Sequence, residues 1–155
     1  MWVPPEIKDP VLRHFPGRKS VGYFGAVRLR DGVFVHKRES EKFNAKSFHD
    51  YMKLLFEKGY TTGRKMVLIT DNARYHHAKL HKEWREDHAK HFLLDFLPPY
   101  SPDLNPVERV WKLLRRNCLH NRYFHTLKEV ELVVEAQFQS WAGGSESLRR
   151  LCAIN

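Results

Sequence analysis

The chain has 155 residues, 42% of them apolar and 13% aromatic, which suits one domain with a real core and excludes a disordered chain. Lys and Arg outnumber Asp and Glu 27 to 18, a formal +9 that favours a polyanionic partner, since each neutralised phosphate releases condensed counterions. The apolar runs are too short for a membrane span, Met1–Pro5 has no basic-then-apolar leader, and Cys118 and Cys152 form no Cys-x-x-Cys pair, so a reducing, cytoplasmic setting is expected.

Residues 1–17 read as an irregular lead-in, punctuated by Pro4, Pro5, Pro10 and Pro16-Gly17. Lys19–Leu29 has the composition of a strand, Arg30-Asp31-Gly32 is a hairpin turn, and Val33–His36 returns as a second strand. Asn44 caps a helix whose apolar positions Phe48, Tyr51, Met52 and Leu55 recur at helical spacing, closed by Gly59 and Gly63. Lys65–Thr70 is a continuous apolar run, the pattern of a strand covered on both faces. A helix is expected over Tyr75–His88 and a strand over Phe92–Leu97. Pro98, Pro99, Pro102 and Pro106 forbid regular structure up to Asn105, which caps a helix beginning at Pro106. That helix carries Val107, Val110, Trp111 and Leu114 on one stripe, with Lys112, Arg115 and Arg116 along another side. Thr126 and Glu129 form a capping box for a last long helix ending near Trp141, and Gly143-Gly144 leaves 145–155 as a tail. A hairpin followed by strand–helix alternation implies a mixed α/β sheet flanked by helices in a single domain, 1–155.

Two acids stand out by position. Asp71 follows directly on the strand at 65–70, and the carboxyl ends of strands are where ligands gather in α/β sheets. An Asp-Asn turn that starts the next helix explains it equally from position alone. Glu108 is the third residue of its helix, where Asn105-x-x-Glu108 also has the form of a capping box, yet it lies beside Trp111 at the edge of the apolar stripe. Two such carboxylates suit Mg²⁺, a hard cation that prefers oxygen ligands and keeps several waters. A pair of such ions about 3.5–4 Å apart activates a nucleophile and stabilises a leaving oxygen at a phosphodiester.

The surrounding blocks carry a resemblance. Val67-Leu-Ile-Thr-Asp71-Asn72-Ala-Arg-Tyr-His76 and Phe96-Leu-Pro-Pro-Tyr-Ser-Pro-Asp-Leu-Asn-Pro-Val-Glu108-Arg-Val-Trp111 resemble the second-Asp and third-acid blocks of the IS630-type and Tc1/mariner-type transposases of the DDE superfamily. Gly17-Arg-Lys-Ser-Val-Gly-Tyr-Phe-Gly-Ala-Val resembles that family's second strand. The resemblance implies an RNase H-like domain and Mg²⁺-dependent DNA transposition, with Mn²⁺ as a substitute. Asp71 and Glu108 would be its catalytic, metal-binding acids. It also implies transposon-end and target DNA as partners, self-association, and a bacterial, DNA-associated cytoplasmic protein.

The family's first Asp sits on a first, central strand upstream of the hairpin, and no counterpart to that strand is found. Glu6 and Asp9 are the only acids in residues 1–17, in proline-broken sequence, and Trp2 resembles the tryptophan of the loop following that strand. The domain is therefore expected to lack its first strand and the family's helix-turn-helix region. An upstream fragment supplying both, a strand from a partner copy, or a decayed, inactive DNA-binding or assembly fragment each answer to this.

Among the basic residues, Arg109, Lys112, Arg115 and Arg116, on the helix of Glu108, are candidate phosphate contacts, with ordinary surface charge as the plain alternative. His76, inside the Asp71 block, is a candidate for positioning DNA or the metal site. His77 and His81 have i, i+4 spacing but no third ligand and no His-Glu-x-x-His pattern, so a basic DNA-facing helix or plain surface is preferred to zinc. Trp84, Trp111 and Trp141 fall on apolar helix faces as core residues.

Overall fold

The computed structural model describes residues 20–61, 63–99 and 101–153; the lead-in at 1–17 lies outside them. Strands β1 (Gly22–Val27) and β2 (Phe34–Glu39) form an antiparallel hairpin in which Val27 opposes Phe34 and Gly22 opposes Glu39. The turn is built as expected: Gly32 has φ 69°, and the Asp31 carboxylate accepts from both the Val33 amide and the Arg28 guanidinium. Helix α1 (Ala45–Gly59) opens on a capping box in which Asn44 and Ser47 bond reciprocally. Strands β3 (Met66–Thr70) and β4 (Phe92–Phe96) pair in parallel, joined by short helical turns and α2 (Lys82–Asp87). Helix α3 (Pro106–Leu114) continues into one π-helical turn at Arg115–Leu119, and α4 (Leu127–Ala142) and α5 (Glu146–Leu151) follow.

The hairpin separates two cores. Phe24 of β1 faces α1 and the β3–β4 pair, in a cluster with Phe48, Tyr51, Met52, Leu55, Phe92 and Leu94. Phe34 of β2 faces the opposite way, into Val110, Leu114, Val134, Phe138, Trp141 and Leu148. Period-two alternation on the two strands produces this division, with helices on both sides as expected. His36 and Arg38 of β2 bind Glu135 and Glu131 of α4 at 2.8 and 2.6 Å, which holds the second layer in register.

Three expectations are corrected. The helix expected over Tyr75–His88 is broken into 3-10 turns at Arg74–His77 and Lys79–His81 and the six-residue α2. Ala78 is extended there (φ −63°, ψ 141°), and the His81 ring bonds the His76 carbonyl at 2.9 Å, so a buried side chain takes an acceptor that a helix would use. The segment expected as a tail carries α5, whose Leu148 and Cys152 are fully buried in the second core. Finally, β3 is not covered on both faces: Val67 and Ile69 are each 50% exposed, and the four described strands form two two-stranded sheets rather than one.

Candidate active site

Between the two sheets runs a cleft of ≈ 360 Å³, walled by β1 on one side and β3 on the other, and Asp71 and Glu108 both line it. Asp71 reaches it from the end of β3. Its Oδ1 accepts the Ala73 amide at 3.0 Å, an Asx turn that ends the strand, while its side chain stays 63% exposed. Asn72 next to it donates to the Leu97 carbonyl beyond β4, which pins the loop across the ends of both strands.

Glu108 reaches the cleft from the first turn of α3. Asn105 caps that helix through its side chain, which accepts the Val107 amide at 3.3 Å, and Pro106 occupies the first helical position. The reciprocal half of the capping box is not formed, and among the described residues no side chain bonds the Glu108 carboxylate. The helix is placed by Trp111, one turn on, whose ring edge packs on β1 at Gly25. A Cβ at Gly25 would stand 2.5 Å from Trp111 and 2.6 Å from Phe34, so only glycine lets the indole lie this close.

His76 is held behind Asp71. It is 5% exposed, packed 4.2 Å from the Phe48 ring, and its Nδ1 faces the Asp71 carbonyl at 3.0 Å, Asp71 Oδ1 at 3.0 Å and Thr70 Oγ1 at 3.1 Å. Burial pushes its pKa below the usual histidine value against the opposing pull of Asp71, so the ring is a neutral donor and the contact a hydrogen bond rather than an ion pair. A side chain this enclosed is oriented toward Asp71, not toward DNA.

The basic residues separate into two groups. Arg109 donates to the carbonyls of Leu151 and Ala153 at 3.1 and 3.3 Å and so ties α3 to the end of α5. Lys112, Arg115 and Arg116 line a shallow groove at the end of α3 together with Leu119 and His120. Among the described residues none of the three basic residues has an acidic partner. Lys112 stands one helical turn from Glu108, on the same side. His120 and Thr70 were not singled out in the sequence. The first lies beyond a π-helical turn that resets the helical spacing, and the second reads simply as the last residue of a strand.

His77 and His81 do not form a metal pair, since no helix joins them. The His77 ring stacks on Phe96 at 4.1 Å, and His81 is fully buried, which removes it from any DNA-facing surface. Among the described residues no group of three or more His, Cys, Asp or Glu side chains is placed to hold a metal. The two carboxylates of the cleft offer hard oxygen donors with no protein cation against them other than the neutral His76, which fits a partly hydrated Mg²⁺ or Mn²⁺.

Comparison with known proteins bears on this site. A family model described as DDE superfamily endonuclease matches residues 2–131. An uncharacterized protein y4pE/y4sA of Sinorhizobium fredii is 41% identical over 68 residues, covering 44% of this chain and 47% of its own length. An uncharacterized 39 kDa protein of insertion element IS630 from Shigella sonnei is 29% identical over 114 residues, covering 70% of this chain and 33% of its own. The transposable element Tcb2 transposase of Caenorhabditis briggsae is 45% identical over 58 residues, 37% of this chain and 20% of its own. The chain thus spans less than half the length of each of these relatives. Among solved structures, the Mos1 strand transfer complex aligns with TM-score 0.64 at 19% identity, over 98% of this chain and 44% of the other. The catalytic domain of Mos1 mariner transposase aligns with TM-score 0.60 at 17% identity, over 90% of this chain and 71% of the other. The described fold is therefore the RNase H-like, mixed α/β fold of that catalytic domain.

Proposed function

Because the chain belongs to the DDE superfamily of endonucleases, matched over residues 2–131, we propose that it serves DNA transposition. In this reading it cuts phosphodiester bonds at transposon ends and transfers the freed strand to target DNA. The observation that carries the reading is the meeting of Asp71 and Glu108, from a strand end and a helix start, on one open cleft.

The chemistry follows from where these groups stand. Asp71 and Glu108 would hold divalent metal ions, Mg²⁺ or Mn²⁺, which when bound supply Lewis acidity and charge neutralisation at the phosphate. In the first step a water oxygen bonds to phosphorus and the bond to the 3′ oxygen breaks, leaving a 3′-OH and a 5′-phosphate. In the second, that 3′-OH attacks a target phosphodiester and displaces its 3′ oxygen. The chain's own residues contribute positioning. His76 fixes the Asp71 carboxylate, Trp111 fixes α3, and Lys112, Arg115 and Arg116 offer phosphate contacts beside Glu108. Arg109 contributes through α3, which it anchors. A third carboxylate, from an upstream transposase fragment that also carries the helix-turn-helix region, completes the metal site, and self-association brings two DNA ends together. The +9 charge suits this work on DNA in the bacterial cytoplasm, and no helix among the described residues is long and apolar enough to cross a membrane.

The test is a nicking and strand-joining assay on duplexes bearing the element's terminal inverted repeats, with Mg²⁺ or Mn²⁺, with and without the upstream product. Metal-dependent cleavage is expected, falling by at least about 100-fold in Asp71→Ala and in Glu108→Ala. A second reading, a DNA-binding or assembly fragment without activity, draws on the absence of a third acid among the described residues. Salt-sensitive DNA binding with no metal-dependent cleavage in either arm would leave only that reading.

A further inference from the structure

We propose that the cleft between β1 and β3 is a docking site for a separate β-strand, an extended polypeptide segment outside residues 1–155, which pairs with both strands at once and joins the two sheets into one.

Three observations carry this. First, β1 pairs only with β2 and β3 only with β4, so each leaves one ladder edge without a described partner, and residues of both strands line the same cleft. Second, nine large apolar side chains are exposed among the described residues, and five of them, Leu29, Phe43, Val67, Ile69 and Leu104, line it. Such concentration marks a contact surface rather than scatter. Third, β3 has the sequence Met-Val-Leu-Ile-Thr, apolar on both faces, yet only the face of Met66 and Leu68 packs into the core. A strand written for burial on two sides is here covered on one.

The open edges select the occupant. A small apolar molecule or lipid chain would cover Val67 and Ile69 but leave the outward amides and carbonyls of Gly22–Val27 and Met66–Thr70 without partners. Main chain alone offers donors and acceptors along both of its edges at strand spacing. With six and five residues to match, the segment is five or six residues long and apolar on both faces. Residues 1–17 do not meet this description. Pro4, Pro5, Pro10 and Pro16 leave Val11–Phe15 as the longest stretch free of proline, and it contains Arg13 and His14. The geometry of the cleft is sufficient for this proposal, and it does not require the metal chemistry of Asp71 and Glu108.

Hydrogen–deuterium exchange on the full chain, without metal or DNA, tests it. The probe is a synthetic peptide of five alternating Val and Ile residues flanked by lysines, and its control has proline at the central position. At saturating peptide, amides in both Gly22–Val27 and Met66–Thr70 are expected to exchange on the order of tenfold more slowly. The proline peptide should have no such effect. Ile69→Lys, at a half-exposed position, should abolish the protection with the far-UV circular dichroism unchanged. Protection of neither strand or of one alone, or an equal effect of the proline peptide, would overturn the proposal. So would protection without peptide: if it persists on dilution the chain's own residues fill the cleft, and if it is lost a second copy does. Binding of Mn²⁺ by wild type against Asp71→Ala, measured separately, reports on the metal reading whichever way the exchange result falls.

Discussion

At the scale of single residues, the site depends on a histidine that never touches the cleft's solvent directly. A lone carboxylate at a strand end has free rotation about its side-chain torsions, and a metal ligand needs that freedom removed in advance. His76 removes it, because its one Nδ1 hydrogen faces both oxygens of Asp71 while Phe48 and Tyr75 clamp the ring at 4.2 and 4.4 Å. His76→Ala is therefore expected to weaken Mn²⁺ binding about tenfold, the low end of what losing a ligand's outer hydrogen bond costs. His76→Asn, whose amide can take the place of Nδ1–H, should recover most of it. Isothermal titration with Mn²⁺ alongside urea denaturation separates this role from a structural one. Equal stability losses in both variants with unchanged Mn²⁺ affinity would show that His76 only fills space.

At the scale of elements, the placement of α3 decides whether Glu108 faces the cleft, and Gly25 decides the placement of α3. Gly25→Ala drives a methyl group into Trp111 and Phe34, both packed in the second core, and overpacking of this kind costs roughly 1–3 kcal/mol. The expected result is a lowered urea midpoint with a further loss of metal affinity as α3 is pushed from β1. An unchanged Mn²⁺ titration would show that Glu108 is not positioned through this contact. The local elements were legible because their causes are local. The Asp31-Gly32 turn, the Asn44 and Asn105 caps and the run Met66–Thr70 each declare themselves within a few residues, and the structure puts them where the sequence implies. The segment after Asp71 was not legible in this way. Its helix is broken by bonds that the His76 and His81 rings make to distant backbone once they are buried against Phe48, and no pattern in Tyr75–His88 announces that burial. The two acids were visible as positions and blocks, whereas the unmade half of the Glu108 capping box, which leaves its carboxylate free, is a fact of geometry.

At the scale of the whole molecule, the same buried histidines set how stability depends on pH. His49, His76 and His81 all have pKa values below the usual histidine value, in each case chiefly because burial penalises the charged ring. His81 is fully enclosed, and the Nδ1 atoms of His49 and His81 have no hydrogen-bond partner. Lys53 and Arg85 oppose a further positive charge there, against the weaker pull of Asp50 on His49. Above the unfolded histidine pKa of about 6.5 both folded and unfolded chains hold these rings neutral, and no stability is lost. As pH falls below it, the unfolded chain takes up protons that the folded chain refuses. Stability then declines by up to about 1.4 kcal/mol per pH unit for each such ring, until its folded pKa is reached. Asp31, held below the usual carboxylate range by Arg28, contributes in the same direction only at lower pH, where carboxylates protonate. Urea midpoints measured between pH 7.5 and pH 5 should therefore fall steadily. His81→Gln should reduce that slope, because its amide can still donate to the His76 carbonyl but carries no titrating group. A flat profile in the wild-type protein would mean that these rings reach solvent in the folded state, and the packing around Asp71 would have to be looser than the contacts of Phe48 with His76 and His81 imply.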